Sequence, residues 1–157
     1  MNVGFGKHAA LDVRRLVVQH PDYVKWVLEQ AQPSGQLAAL AANVHRYIQI
    51  FDAKPFVKEC TGKKAGARCA RPVTRGTAYH SHGLNVDLYW WCDTCDPYQM
   101  GAAATLIDVS TYSDALSVVE RYGGRKSDYG AIIKYLSRAK GMSARVTDAA
   151  LETFFGP

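Results

Sequence analysis

Four cysteines constrain this chain more than any other feature. Eight residues separate Cys60 from Cys69, twenty-two separate Cys69 from Cys92, and two separate Cys92 from Cys95. Two such pairs, brought together by folding, supply the four thiolates of a tetrahedral structural metal site. Cys92-Asp93-Thr94-Cys95 fits a tight knuckle. The first pair encloses a longer stretch with Gly62 and Gly66, read here as a flexible loop between ligands. The stretch 60–95 therefore looks like a zinc ribbon, with Zn²⁺ held by Cys60, Cys69, Cys92 and Cys95. Two alternatives stand beside it: His80 or His82 replacing one cysteine, since imidazole also suits zinc, and four buried free thiols. A thioredoxin-like redox pair at Cys92 and Cys95 fails for want of an internal proline after Pro97 to face it, and it leaves Cys60 and Cys69 unexplained.

The net charge of +5 is concentrated around the same stretch. Lys54, Lys58, Lys63, Lys64, Arg68, Arg71 and Arg75 face a single acid, Glu59, a surplus larger than that of the whole chain. Such a local excess points to a polyanionic partner, nucleic acid above all, with DNA ahead of RNA. Lys58, Lys63, Lys64, Arg68, Arg71 and Arg75 are the expected phosphate contacts, and Lys7 joins them if it shares their face. Tyr79, Tyr89, Trp90, Trp91 and Tyr98 interleave with this charge, as a base-stacking surface requires. Strand alternation sends Trp90 and Trp91 to opposite faces, so one packs the core. Trp91 is taken as the stacking residue. The plainer reading is a solvated lysine-rich loop over an aromatic ribbon core.

With 48% hydrophobic residues the chain can bury an ordinary core. Val3 to Lys7 reads as a short strand. Asp12 caps a helical turn carrying Val13, Leu16 and Val17, and Pro21 opens a second helix with Val24 and Val27. After Ser34, Leu37, Leu40, Ala41, Val44, Tyr47, Ile48 and Phe51 form one helical stripe. The run Phe5-Gly6-Lys7-His8, then Val13 and Leu16, then Pro21-x-Tyr23-Val24-x-Trp26, resembles the small module at the C-terminus of exonuclease-X-like nucleases. That likeness covers about residues 3–51 and implies a nucleic-acid-associated accessory role rather than a catalytic one.

Further along, Thr105 to Val109 alternates as a strand, and Ser113–Tyr122 reads as a helix. Ser127 and Thr147 are read as the caps of two more. The expected fold is α+β: an N-terminal strand-plus-helices module (1–53), a central zinc ribbon (54–100) and a strand-and-helix C-terminal part (101–157), packed as one unit. No apolar run is long enough to span a membrane, and no signal peptide is recognisable at the start. A cytoplasmic protein is expected, with no membrane partner.

Catalysis finds little support. The acids are scattered rather than clustered for metal-dependent phosphodiester cleavage. Gly62-Lys63-Lys64 lacks the remainder of a phosphate-binding loop, and Gly4-Phe5-Gly6 lacks a third glycine. A helix-turn-helix through Gly141 lacks base-reading side chains on its last helix. The expected function is a non-catalytic, zinc-stabilised nucleic-acid-binding protein serving DNA transactions or a nuclease. The alternatives are a protein-interaction adaptor using its C-terminal helices, and a small metal-dependent nuclease using His80 and His82.

Overall fold

A computed structural model of the chain describes residues 1–80, 88–100, 105–122 and 124–156. The fold is α+β. Helices α1 (Val13–Gln19), α2 (Pro21–Leu28) and α3 (Gly35–Ala53) precede a hairpin of β1 (Lys63–Lys64) and β2 (Ala67–Arg68). Strands β3 (Arg75–His80), β4 (Tyr89–Trp91) and β5 (Thr105–Asp108) follow, then α4 (Tyr112–Arg121), α5 (Lys126–Ala139) and α6 (Asp148–Phe155). No helix among the described residues is long and apolar enough to cross a membrane.

Local chemistry accounts for the helices. Asp12 accepts a hydrogen bond from the Arg14 backbone N–H (2.8 Å) and starts α1; Thr147 does the same for Ala150 at the start of α6. Pro21 opens α2, where the missing N–H costs nothing. The stripe of α3 buries Leu40, Ala41, Val44 and Phe51. Two expectations need correction. Val3 to Lys7 is not a strand, because Gly4 (φ 86°) and Gly6 (φ 67°) turn the chain into a 3-10 turn over Gly6–His8. Ser127 is not a cap; Arg125 precedes the helix, and its N–H donates to Asp128 Oδ2 (2.6 Å).

Helices from both ends of the chain share one core. Helix α1 packs on α2, α3, α5 and α6, while α4 packs on α5 and α3. Tyr112 is a fully buried junction: its hydroxyl donates to the Val17 carbonyl (2.7 Å) and its N–H to Asp52 Oδ1 (2.8 Å). Lys140, only 5% exposed, donates to the carbonyls of Asp52 (3.1 Å) and Lys54 (2.9 Å), which end α3. A cation there satisfies orphan carbonyls at the negative end of the helix.

The antiparallel sheet β4-β3-β5 seats the cysteine region on this helical body. Gly76 pairs with Trp90, and a Cβ at Gly76 would lie 2.6 Å from the Trp90 ring and 2.7 Å from the Val109 carbonyl, so only glycine fits. Trp90 then packs into the helical core and against Phe56 (ring centroids 5.4 Å apart). Its neighbour Trp91 turns to the other side of the sheet, among Cys60, Cys92 and Cys95.

Candidate metal centre

The hairpin that carries the first two cysteines is tighter than its ten-residue span suggested. Lys63 pairs with Arg68 and Lys64 with Ala67, leaving only Ala65-Gly66 as the turn. Both turn residues have positive φ (49° and 77°), the signature of a hairpin turn whose twist matches its strands. The expected flexible loop is thus a short β-hairpin. The Cys69 N–H donates to the Gly62 carbonyl (2.8 Å), which closes the base of the hairpin and returns Cys69 to the neighbourhood of Cys60.

The second pair arrives from β4. Thr61 donates through its N–H (2.8 Å) and its hydroxyl (2.9 Å) to the Trp90 carbonyl, and the Thr74 N–H donates to the Trp91 carbonyl (2.9 Å). These bonds bind both sides of the first pair to the strand leading into the knuckle. The Trp91 indole N–H donates to Thr77 Oγ1 (2.7 Å) and its ring is fully buried. Trp91 is therefore not the exposed stacking residue anticipated from alternation. Alternation does hold, but both faces of β4 are covered, one by the helical core and one by the sulfur cluster.

The four Sγ atoms lie within 4.8 Å of one another. Cys69 and Cys92 sulfurs are 3.9 Å apart, far beyond the ~2.05 Å of a disulfide. For a tetrahedral metal with sulfur at ~2.3 Å, the expected edge is about 3.8 Å. Cys60, Cys92 and Cys95 are buried and Cys69 is half-buried. The cluster could hold a metal ion. Gly62 forms part of its wall: a Cβ there would lie 2.8 Å from Cys95 Sγ and 3.3 Å from Cys60 Sγ. Its N–H donates to Cys60 Sγ (3.3 Å), the kind of bond that supports a thiolate.

The two knuckle thiols differ in their electrostatics. Hydrogen bonds from Thr94, chiefly its hydroxyl, pull the Cys92 thiol down to about 6. Burial, with the neighbouring sulfurs adding to it, pushes Cys95 up to about 12. Four thiolates at this spacing cannot stay ionised together without a positive charge among them.

The predicted basic residues separate into groups. Lys58, Lys63, Lys64, Arg68 and Arg71 are all exposed on and beside the hairpin. Lys64 Nζ donates to Thr94 Oγ1 (2.6 Å) and Arg71 reaches the same oxygen (3.4 Å), which itself lies 3.4 Å from Cys92 Sγ. Arg68 meets Glu59 at 3.5 Å with both side chains mostly exposed, a pair contributing about 0–1 kcal/mol. Arg75 is different. It is half-buried, donates to the Cys95 carbonyl (3.0 Å), and its buried Nε has no partner among the described residues, so it braces the knuckle from within. Lys7 is exposed in the 3-10 turn Gly6–His8, and no contact among the described residues joins it to the hairpin. The His80 side chain and all of His82 lie outside the described residues.

Tyr98 is an exposed aromatic near the hairpin, 54% accessible, one residue from Gln99, whose Oε1 accepts from the Lys63 N–H (2.8 Å). It belonged to the aromatic run in the sequence, but alternation cannot rank it because it sits in a 3-10 turn, Pro97–Met100. Compared with known proteins, the chain matches no family model, no curated protein and no solved structure.

Proposed function

We propose that this chain is a non-catalytic, zinc-stabilised nucleic-acid-binding protein, with DNA as the preferred partner and an accessory role to a nuclease or another DNA transaction. An all-thiolate donor set suits zinc, and four protein ligands close the coordination sphere, as in structural rather than catalytic sites. The exonuclease-X-like residues of 3–51 point to the same accessory role.

One observation carries the reading. Lys64 and Arg71 converge on Thr94 Oγ1, and that oxygen also touches Cys92 Sγ. The ion that fixes Cys92 thereby fixes the placement of the charge around it. Lys58, Lys63 and Arg68 extend the cationic surface, and Tyr98 supplies an exposed ring for stacking on an unpaired base.

Salt titration tests this directly. Neutralising about four phosphates on duplex DNA gives a slope of log affinity against log salt near −3.6. Reversing Lys63, Lys64 and Arg68 to glutamate is expected to flatten that slope. A protein that binds no oligonucleotide at low salt contradicts the proposal, and a slope that survives the reversal removes the hairpin as its contact surface.

A further inference from the structure

A second basic surface lies away from the hairpin, on the face of α5. Between Arg125 and Val146, leaving aside the buried Lys140, the chain carries five cations and one acid, Asp128. Lys126, Gly130, Lys134 and Arg138 follow one another at four-residue intervals, so they form a single ridge along the helix. From Lys126 to Arg138 that ridge runs about 18 Å. Two clefts flank it, of about 560 Å³ and 510 Å³. Gln19 at the end of α1 and Gly130 line both, so the clefts adjoin at the glycine. Arg145 joins Lys134 and Arg138 in the larger cleft. No ion pair among the described residues involves Lys134, Arg138 or Arg145, whereas Lys126 pairs with Asp22 at 3.2 Å.

Gly130 is the independent observation. A glycine inside a helix costs about 1 kcal/mol relative to alanine. Here the chain itself supplies no reason for it: a Cβ would meet nothing within 4 Å, and the residue lies in regular helix without positive φ. A helical glycine facing open space, where two cation-lined clefts meet, is suited to close approach by a ligand backbone.

We propose that this groove seats the phosphodiester backbone of a nucleic-acid strand, which crosses α5 over Gly130 with Lys134, Arg138 and Arg145 on its phosphates. The ridge is too long for a single phosphate, and the guanidinium forks of Arg138 and Arg145 match phosphate oxygens in pairs. The identity of the polyanion rests on the nucleic-acid reading above; the location does not depend on the hairpin.

The test compares three variants of the full chain by fluorescence anisotropy with a labelled oligonucleotide. Lys134→Glu with Arg138→Glu is expected to weaken binding about tenfold or more at moderate salt, and to reduce the salt slope by about 1.4 (single strand) to 1.8 (duplex). Gly130→Gln, which leaves charge unchanged, is expected to raise the thermal midpoint through helix propensity while weakening binding. A merely structural glycine would not split those two readouts. The third variant, Lys63→Glu with Lys64→Glu, separates the two surfaces. If it alone loses binding, the groove is overturned and the hairpin stands. If the groove variants alone lose binding, the groove stands and the hairpin assignment falls. Polyglutamate that displaces the oligonucleotide as well as unlabelled nucleic acid of equal charge overturns the groove's assignment to nucleic acid, and a wild-type protein that binds no oligonucleotide overturns both.

Discussion

Replacing Gly62 by alanine tests how tightly the backbone is wrapped around the sulfur cluster. Gly62 has no positive φ, so alanine meets no conformational penalty there and the effect is purely steric. The added Cβ would lie 2.8 Å from Cys95 Sγ, 3.0 Å from Cys95 Cβ and 3.3 Å from Cys60 Sγ. Non-bonded heavy atoms settle at about 3.5–4.0 Å, so the hairpin or Cys95 must move by about 0.7 Å or more. A metal–sulfur bond tolerates only about 0.2 Å. The strain therefore falls on coordination, and we expect metal affinity to drop about 10–100-fold, in the range seen when outer-shell support is lost. That corresponds to about 1.4–2.7 kcal/mol. Competition with a chromophoric chelator at neutral pH measures it, with Gly130→Ala as the control, since a Cβ at Gly130 meets nothing. Wild-type affinity in Gly62→Ala would refute the close wrapping and, with it, the assignment of Gly62 to the site's wall.

Three further outcomes are expected. Ala65 occupies the left-handed region that asparagine enters readily, so Ala65→Asn is expected to stabilise the fold by about 1 kcal/mol, read by thermal unfolding of the metal-loaded protein; a lower midpoint would contradict the turn geometry. Lys140→Met removes two charge-assisted bonds to the end of α3, partly offset by the relief of burial that already pushes this ammonium below its ordinary range. A net loss of about 2 kcal/mol is expected, and a variant as stable as the parent would show that Lys140 is dispensable as a cap. Metal binding at neutral pH must displace the Cys95 proton, whose pKa stands near 12, while Cys92, near 6, is already ionised. Apparent affinity is thus expected to rise with pH at neutral values and to fall steeply below pH 6 as Cys92 protonates, with proton release visible by calorimetry in buffers of different ionisation enthalpy. A pH-independent affinity would count against thiolate ligation.

The cysteine cluster was legible in the sequence because metal chemistry restricts both residue type and spacing. The helices of the N-terminal part were legible for a similar reason: Asp12, Pro21 and the α3 stripe each act locally. What escaped the sequence depends on packing. Ala65-Gly66 lacks the asparagine or aspartate that advertises a hairpin turn, so β1 and β2 read as loop. Alternation placed Trp90 and Trp91 on opposite faces correctly, yet could not show that the sulfur cluster covers the second face. Arg75 looked like its neighbours in a list of charges, but its register opposite Trp91 turns it toward the Cys95 carbonyl. The basic ridge of α5 does not show in the net charge, because acids on other elements cancel it. It is visible only in the four-residue spacing of Lys126, Gly130, Lys134 and Arg138.

The coupling of metal to surface charge is the central claim, and one measurement addresses it most directly. Oligonucleotide affinity is compared in the metal-loaded protein, after chelation, and after zinc is restored, with helical content followed by circular dichroism in each state. If the ion fixes Thr94 and the cations gathered on it, chelation weakens binding about tenfold or more while the helices persist, and zinc restores it. Affinity that is the same with and without metal, in a protein shown to bind one ion per chain, would contradict the account.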